Sequence, residues 1–285
     1  MTDAIGDRMK AYETRESDRR FLPMLPIYAR IDGRNFSAFT RDMDRPFDAD
    51  MTEIMIQTTE SLVEETHARI GYTQSDEISL IWQSERYNSS IFFDHRIAKM
   101  TSVLASFATV AFMAALAESR HADKAARWPH FDCRVFQLPN RAEAANVFLW
   151  REQDATKNAI SMAARAVYSH KKLDHKSGPE MQEMLFARGV NFNDYPSHFK
   201  RGTFVRRTVI TRELTEIERE AIPAKYRPEL GTQVERSAIL RLQMPRFGSV
   251  TNRESVIFDA ADPVTEGAKP QGSPQTLHAP EGWGK

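Results

Sequence analysis

Residues 70–82 read Ile70-Gly71-Tyr72-Thr73-Gln74-Ser75-Asp76-Glu77-Ile78-Ser79-Leu80-Ile81-Trp82. Two β-prone runs, 70–74 and 78–82, are parted by three polar residues that suit a tight turn, which predicts a hairpin. Working backward, 26–32 alternates: Ile27, Ala29 and Ile31 fall on one face and Tyr28, Arg30 and Asp32 on the other, as in a half-buried strand. Past Pro46, Asp50 and Glu53 read as a capping-box variant opening a helix, with Met51, Ile54, Thr58 and Leu62 at helical spacing and an end near 69–71. Working forward, Ile97, Met100, Leu104, Phe107 and Ala111 mark one face of a helix over 95–119, and an alternating run over 133–138 stops at Pro139. The order is β-α-β-β-α-β, a split βαβ or ferredoxin-like unit over 24–139, and the class is α+β.

Beyond 139 the pattern is mostly helical, over 141–170 and 179–188, with strand-like runs at 203–210 and 238–243 around a short acidic helix near Glu216. The expected organisation is a ferredoxin-like domain over 1–139 and a helical, strand-containing segment over 140–258. A tail rich in Pro and Gly over 259–285 is expected to be disordered. At 285 residues with 41% hydrophobic side chains the chain can bury a sizeable core. Its 39 basic and 39 acidic residues cancel, so any grip on an anion must be local. Cys133 is the only cysteine, which excludes an intramolecular disulfide and fits a reducing, cytoplasmic location. The uncharged stretch 100–117 is long enough to approach a membrane span. Its alanines, serines and threonines suit a buried helix of a soluble protein better, and no membrane partner is expected.

In this topology the end of the first strand and the tip of the hairpin are neighbours, so Asp32 and Asp76 converge. Two carboxylates at one sheet end call for divalent cations with oxygen ligands, as in polymerase palms, where a pair of metals clamps the attacking and leaving oxygens of a phosphoryl displacement. Gly33 fits that arrangement: without a side chain its carbonyl can reach a metal and its amide a phosphate. Alone, Asp-Gly and Ser-Asp-Glu are ordinary turn sequences; their joint placement carries the inference. The eight histidines show no metal-ligand spacing, and Met51, Met55, Met100 and Met113 read as core filler.

Five motifs carry a resemblance: Asp32-Gly33-Arg34-Asn35-Phe36, Gln74-Ser75-Asp76-Glu77, Phe131-Asp132-Cys133-Arg134, Trp150-Arg151 and Lys200-Arg201-Gly202-Thr203. In this order they resemble the signature of the tRNA-His guanylyltransferase family, over roughly residues 24–212. The resemblance implies a polymerase-palm fold that adds nucleotides to tRNA 5′ ends in the 3′-to-5′ direction, with GTP and ATP as substrates, two Mg²⁺ ions and a homotetramer. It implies metal ligands at Asp32, the Gly33 carbonyl and Asp76, with Glu77 as a third catalytic acid beside them. Nucleotide contacts are implied along Asp32, Gly33, Arg34, Asn35, Phe36 and Ser37 and at Ser75 and Asp76. In the family's route a 5′-monophosphate is activated with ATP and then attacked by the 3′-hydroxyl of GTP. Two departures are visible. Thr156-Lys157-Asn158-Ala159 stands where anticodon-reading members carry His-Ile-Asn-Asn, and Ser37 replaces a common His. The chain thus looks closer to the prokaryotic and phage-type members, which copy the opposite strand.

Basic residues extend the expected site. Arg30, on the Asp32 face, and Arg45 are expected to hold nucleotide phosphates, while Lys171, Lys172, Lys200, Arg201, Arg206 and Arg207 are expected to grip RNA. Two rivals share the topology: a nucleotide cyclase-like palm, which needs no basic RNA surface, and a non-catalytic RNA-recognition module. The latter would expose aromatics on its central strands, where Tyr28, Tyr72 and Trp82 fall.

Overall fold

The computed structural model describes residues 4–266. An outlying helix α1 (Ile5–Ser17) precedes β1 (Ile27–Gly33), the short α2 (Phe36–Phe39), α3 (Ala49–Thr66), the hairpin β2 (Ile70–Gln74) and β3 (Glu77–Trp82), α4 (Ile97–Ala117) and β4 (Phe131–Gln137). The βαββαβ order is therefore present, and the strands β4-β1-β3-β2 lie side by side. α3 starts earlier than its sequence indicates. Asp48, not Asp50, is the capping residue, accepting the Met51 amide at 3.0 Å, and Glu53 turns instead to Gln57 and Arg241.

The alternation in β1 sorts its side chains onto two layers. Ile27, Ala29 and Ile31 face α3 and α4, in a core with Met55, Leu62, Leu104 and Phe112. Tyr28 faces the opposite way, onto α5 (Arg141–Val167), in a second core with Tyr72, Ile81 and Phe148. The sheet face that an RNA-recognition module would expose is covered by α5, and Tyr28, Tyr72 and Trp82 are all buried. α4 is not enclosed as its composition predicts: one face packs on the sheet and the other is open.

After α5 come α6 (His170–Leu173), α7 (Gly178–Phe186), α8 (Ser197–Arg201), β5 (Thr203–Glu213), α9 (Glu216–Glu220), β6 (Gln233–Leu242) and α10 (Arg253–Phe258). β5 pairs with β2 and β6 with β5, making one six-stranded sheet across the boundary expected at residue 139. Gly202 makes the junction possible. Its φ is +78°, and a Cβ there would meet the Thr73 carbonyl at 2.5 Å and the Tyr72 ring at 2.7 Å. Residues 259–266, expected in a disordered tail, pack instead on the fold, with a bridge between Val250 and Thr265; residues 267–285 lie outside the described residues.

Candidate active site

β1 ends with Asp32 in register with Glu77 of β3 and Asp132 of β4. The Gly33 amide donates to the Asp76 carbonyl at 3.0 Å, locking the end of β1 to the hairpin turn. That turn is Ser75-Asp76, with Ser75 at φ +50° and its hydroxyl donating to Asp76 Oδ1 at 3.0 Å. Asp32, the Gly33 backbone and Asp76 thus share one sheet end. Burial lifts the Asp76 carboxyl above its ordinary value and the Asp32 charge adds to the lift, against hydrogen bonds from Ser75 and the backbone. Carboxylate and carbonyl oxygens with excess negative charge are the donor set that Mg²⁺ takes.

The Gly33 amide, expected to approach a phosphate, is already committed to Asp76. The missing side chain serves packing, since a Cβ at Gly33 would overlap the Phe36 ring. Phe36 itself is buried against Phe39, Phe112 and Phe131, so it anchors the turn. Arg34 and Asn35 are exposed on the connection, and Asn35 adopts φ +58° to start α2.

Glu77 lies beside Asp32 with both carboxylate oxygens occupied. Arg151 Nε donates at 2.6 Å and Nη2 at 2.8 Å, and both residues are buried. Arg151 also reaches Asp154 at 2.8 Å and stacks on Trp150, its Cζ 4.5 Å from the ring centroid. Burial raises the Glu77 carboxyl while Arg151 opposes the rise, and burial works against the Arg151 charge while Glu77 more than offsets it. Arg30 Nε stands 3.9 Å from Glu77 Oε2, half-buried under the same network. A carboxylate held by a bidentate guanidinium has few lone pairs left for a metal, so the geometry makes Glu77 a positioning residue. The Trp150-Arg151 pair was visible in the sequence without a role. A Glu on a strand face that ends up covered needs a counter-charge, and that requirement was the available signal.

A cavity of about 310 Å³ opens beside Asp76 and Ser75, lined also by Phe36, Ser37, Arg45, Asp48, Asn158 and Ala159. Phe47 and Phe199 stack on its wall with centroids 4.7 Å apart; neither was legible as part of the site. Arg45 donates to the carbonyls of Arg41 and Thr40 at 3.2 and 3.4 Å, which holds its guanidinium at the rim. Asp48, Asp50 and His121 come close enough to hold a metal. Arg120 occupies that cluster, at 2.8 Å from Asp48 and 2.5 Å from Asp50, and His121 reaches Asp48 at 3.0 Å. Burial disfavours the Asp48 charge, yet the Met51 amide, His121, the Asp44 amide and Arg120 bring the carboxyl down to about 2, as befits an ion-paired helix cap.

The expected RNA-gripping residues separate. Lys171 and Lys172 are exposed on α6. Lys200 and Arg201 line a recess with Lys157 and Arg246 beside Thr156 of α5. Arg206 is buried on the α5 side of β5 and donates to the Ala261 carbonyl at 2.7 Å, so residues 259–266 cover it. Arg207 points to the opposite face, onto Ser237 and His67. Alternation along a strand forbids these two from sharing a surface.

A family model described as tRNAHis guanylyltransferase (Thg1) matches residues 6–139. A bacterial tRNA(His) guanylyltransferase (Thg1)-like protein in complex with ATP is 36% identical, with a TM-score of 0.67 over 72% of this chain and 87% of that one. One in complex with GTP is 30% identical, with a TM-score of 0.66 over 86% and 94%. The tRNA(His) guanylyltransferase of Saccharomyces cerevisiae is 29% identical over 65% of this chain and 84% of its own.

Proposed function

The chain belongs to the tRNAHis guanylyltransferase family and is a nucleotidyltransferase, and from that premise we propose that it extends tRNA 5′ ends in the 3′-to-5′ direction, in the cytoplasm, by copying the opposite strand. The observation that carries the reading is the convergence of Asp32, the Gly33 backbone and Asp76 at one sheet end, beside a cavity of nucleotide-binding dimensions. Those oxygens would hold two Mg²⁺ ions, whose charge, when bound, lowers the pKa of an attacking 3′-hydroxyl and stabilises the departing phosphate oxygens. The chain's own residues orient the reactants. Arg151 fixes Glu77 and with it the strand end that carries Asp32, while Ser75 steadies the Asp76 carboxylate. Arg45 and Ser37 stand at the rim for the triphosphate, and bound ATP and GTP in the bacterial relatives support a purine nucleotide in this cavity.

Templating is favoured by α5. Of the Thr156-Lys157-Asn158-Ala159 run, Asn158 and Ala159 line the nucleotide cavity, and Ala159 offers a methyl where anticodon-reading members carry an amide. Without that anticodon selection, specificity comes from elsewhere, and base pairing with the 3′ side of the acceptor stem is the available source. The test takes a tRNA lacking its first 5′ nucleotide, supplies each triphosphate in turn with Mg²⁺, and repeats this with the opposing base changed. The incorporated base follows the change; addition of guanosine alone, whatever base it faces and only with the tRNA-His anticodon present, overturns the templated reading.

The recess of Lys157, Lys200, Arg201 and Arg246 supports an RNA backbone site next to that cavity. Lys200→Glu with Arg201→Glu should weaken tRNA binding and flatten its log–log salt dependence by roughly 0.9 for each phosphate no longer neutralised. Arg206→Ala should lower the melting temperature and leave the salt slope unchanged, because its partners are backbone and Asp262. Titrations of binding at several salt concentrations separate the two outcomes.

A further inference from the structure

The most exposed aromatic side chain among the described residues is Trp128, at 77%. It stands in the connection from α4 to β4, three residues before Phe131, the partner of Gly33 in the sheet. Its backbone is unusual for so bulky a side chain: φ is +51°, and Pro129 follows, which biases its neighbour toward extended backbone. The connection is nonetheless pinned. The Trp128 amide donates to the Ala125 carbonyl at 3.1 Å, the His130 ring Nδ1 donates to the Trp128 carbonyl at 2.8 Å, and the Arg34 amide donates to the His130 carbonyl at 2.9 Å. Pro129, between the two exposed side chains, is buried. An indole left in water forgoes the burial its area would supply. A strained residue that the surrounding fold holds open to solvent points to a role outside the core.

Trp128 belongs to the sheet end that carries Asp32 and Asp76. Asp132 of β4 pairs with Asp32, Asp32 with Glu77, Glu77 with Gln74, and Thr73 with Thr203 of β5, just after Lys200 and Arg201. One sheet end therefore presents three features in a row: the cationic recess before β5, the acids with their cavity in the middle, and Trp128 before β4. β4 and β5 lie four strand spacings apart, about 19 Å, the width of an RNA duplex. Trp128 stands at most about 16 Å from Gly33, since three residues span no more than about 11 Å and paired strands are about 5 Å apart. Arg34 adjoins it, exposed and without an ion-pair partner among the described residues.

We infer that Trp128 is a stacking platform for an unpaired base of the RNA 3′ strand. The inference rests on the proposed function, because the substrate of templated 5′ addition is a stem whose 5′ strand is one nucleotide short. Its 3′ strand then carries an unpaired base facing the gap and further unpaired bases beyond it. With the 5′ end at Asp32 and Asp76 and its backbone on the Lys200 and Arg201 recess, the opposite strand falls on the β4 side, against Trp128. Aromatic faces hold unpaired bases of any identity, since every base has a flat face to stack. That tolerance suits an enzyme whose incoming base is dictated by the template. Arg34 supplies a cation for the adjoining phosphate.

The test takes the full chain, Mg²⁺ without triphosphate, and an acceptor-stem hairpin lacking its first 5′ nucleotide. 2-Aminopurine replaces the 3′-strand base facing the gap or, in a second RNA, the next base along. Wild type should quench at least one of the two probes on binding. Trp128→Phe should retain most of the quenching and affinity, whereas Trp128→Ala should lose the quenching and bind about 5- to 100-fold more weakly. The log–log salt slope of Trp128→Ala should stay that of wild type, because no phosphate contact is lost. A blunt stem without unpaired bases should bind both proteins alike. Circular dichroism should show an unchanged fold, as the side chain is exposed. Affinity and quenching indifferent to Trp128→Ala overturn the inference, as does a change of mass in sedimentation equilibrium, which would mean that another copy of the chain covers the indole. The binding readouts need no nucleotide addition, so the two failures separate: Trp128-dependent quenching by a wild-type chain that adds no nucleotide removes the proposed function and keeps the contact.

Discussion

Asp76→Ala should lower nucleotide addition by on the order of a thousandfold or more, and Asp32→Ala should do the same, with tRNA affinity and fold retained. Both side chains stand at a sheet end and contribute little to the two cores. In the folded chain the Asp76 carboxyl is raised by burial and by Asp32. For an acid whose folded pKa is raised, the folded state carries the cost of a buried charge above that pKa, and the cost disappears as pH falls through it. Asp76→Asn should therefore melt at the same temperature as wild type or higher at neutral pH without divalent ions. Mg²⁺ should raise the melting temperature of wild type and not of the variant, because a ligand stabilises only the state that binds it. Activity within tenfold of wild type for both alanine variants would remove Asp32 and Asp76 from the chemistry.

Arg151→Ala is expected to cost about 3–5 kcal/mol of stability, the penalty of leaving a buried carboxylate without its partner. Among the described residues, the only other cation paired with Glu77 is Arg30, 3.9 Å away and half-buried. The double variant Arg151→Met with Glu77→Gln should be milder than Arg151→Ala, since it removes both charges. Linkage gives a second signature. Losing Arg151 raises the folded pKa of Glu77 further, so the variant's deficit is present above that pKa and shrinks as pH falls through it. Urea melts at several pH values measure both effects; an Arg151→Ala loss under about 1 kcal/mol would mean the pair is solvated and does not position the strand end.

The palm was legible because its signals are local: alternation in 26–32, turn residues between 74 and 78, and helical spacing on either side. Errors arose where a local pattern had two solutions or where the partner was distant in sequence. Asp50 and Glu53 have the capping spacing, but so do Asp48 and Met51, and the hydrogen bond goes to the latter pair. Glu77 reads from the sequence as a third catalytic acid beside the metal ligands; its counter-ion Arg151 comes from α5, 74 residues away, and lies outside any local pattern. The pairing of β5 with β2 is likewise long-range, which hid the six-stranded sheet. Arg206 was decipherable: it shares a strand face with Phe204, and a strand that buries the one carries the other inward. The uncharged length of α4 indicated burial, while periodicity along the same residues separates a buried row from an exposed one.

The most direct test of the central claim is where a new nucleotide appears. A tRNA lacking its first 5′ nucleotide and carrying a 5′-triphosphate is incubated with the full chain, Mg²⁺ and radiolabelled GTP opposite cytosine, and the product is mapped by nuclease digestion from each end. The expected result is label at the 5′ end, with pyrophosphate released, and none when Asp32 or Asp76 is replaced by alanine. Label at the 3′ end, or 5′ addition that persists undiminished in both variants, would contradict the account.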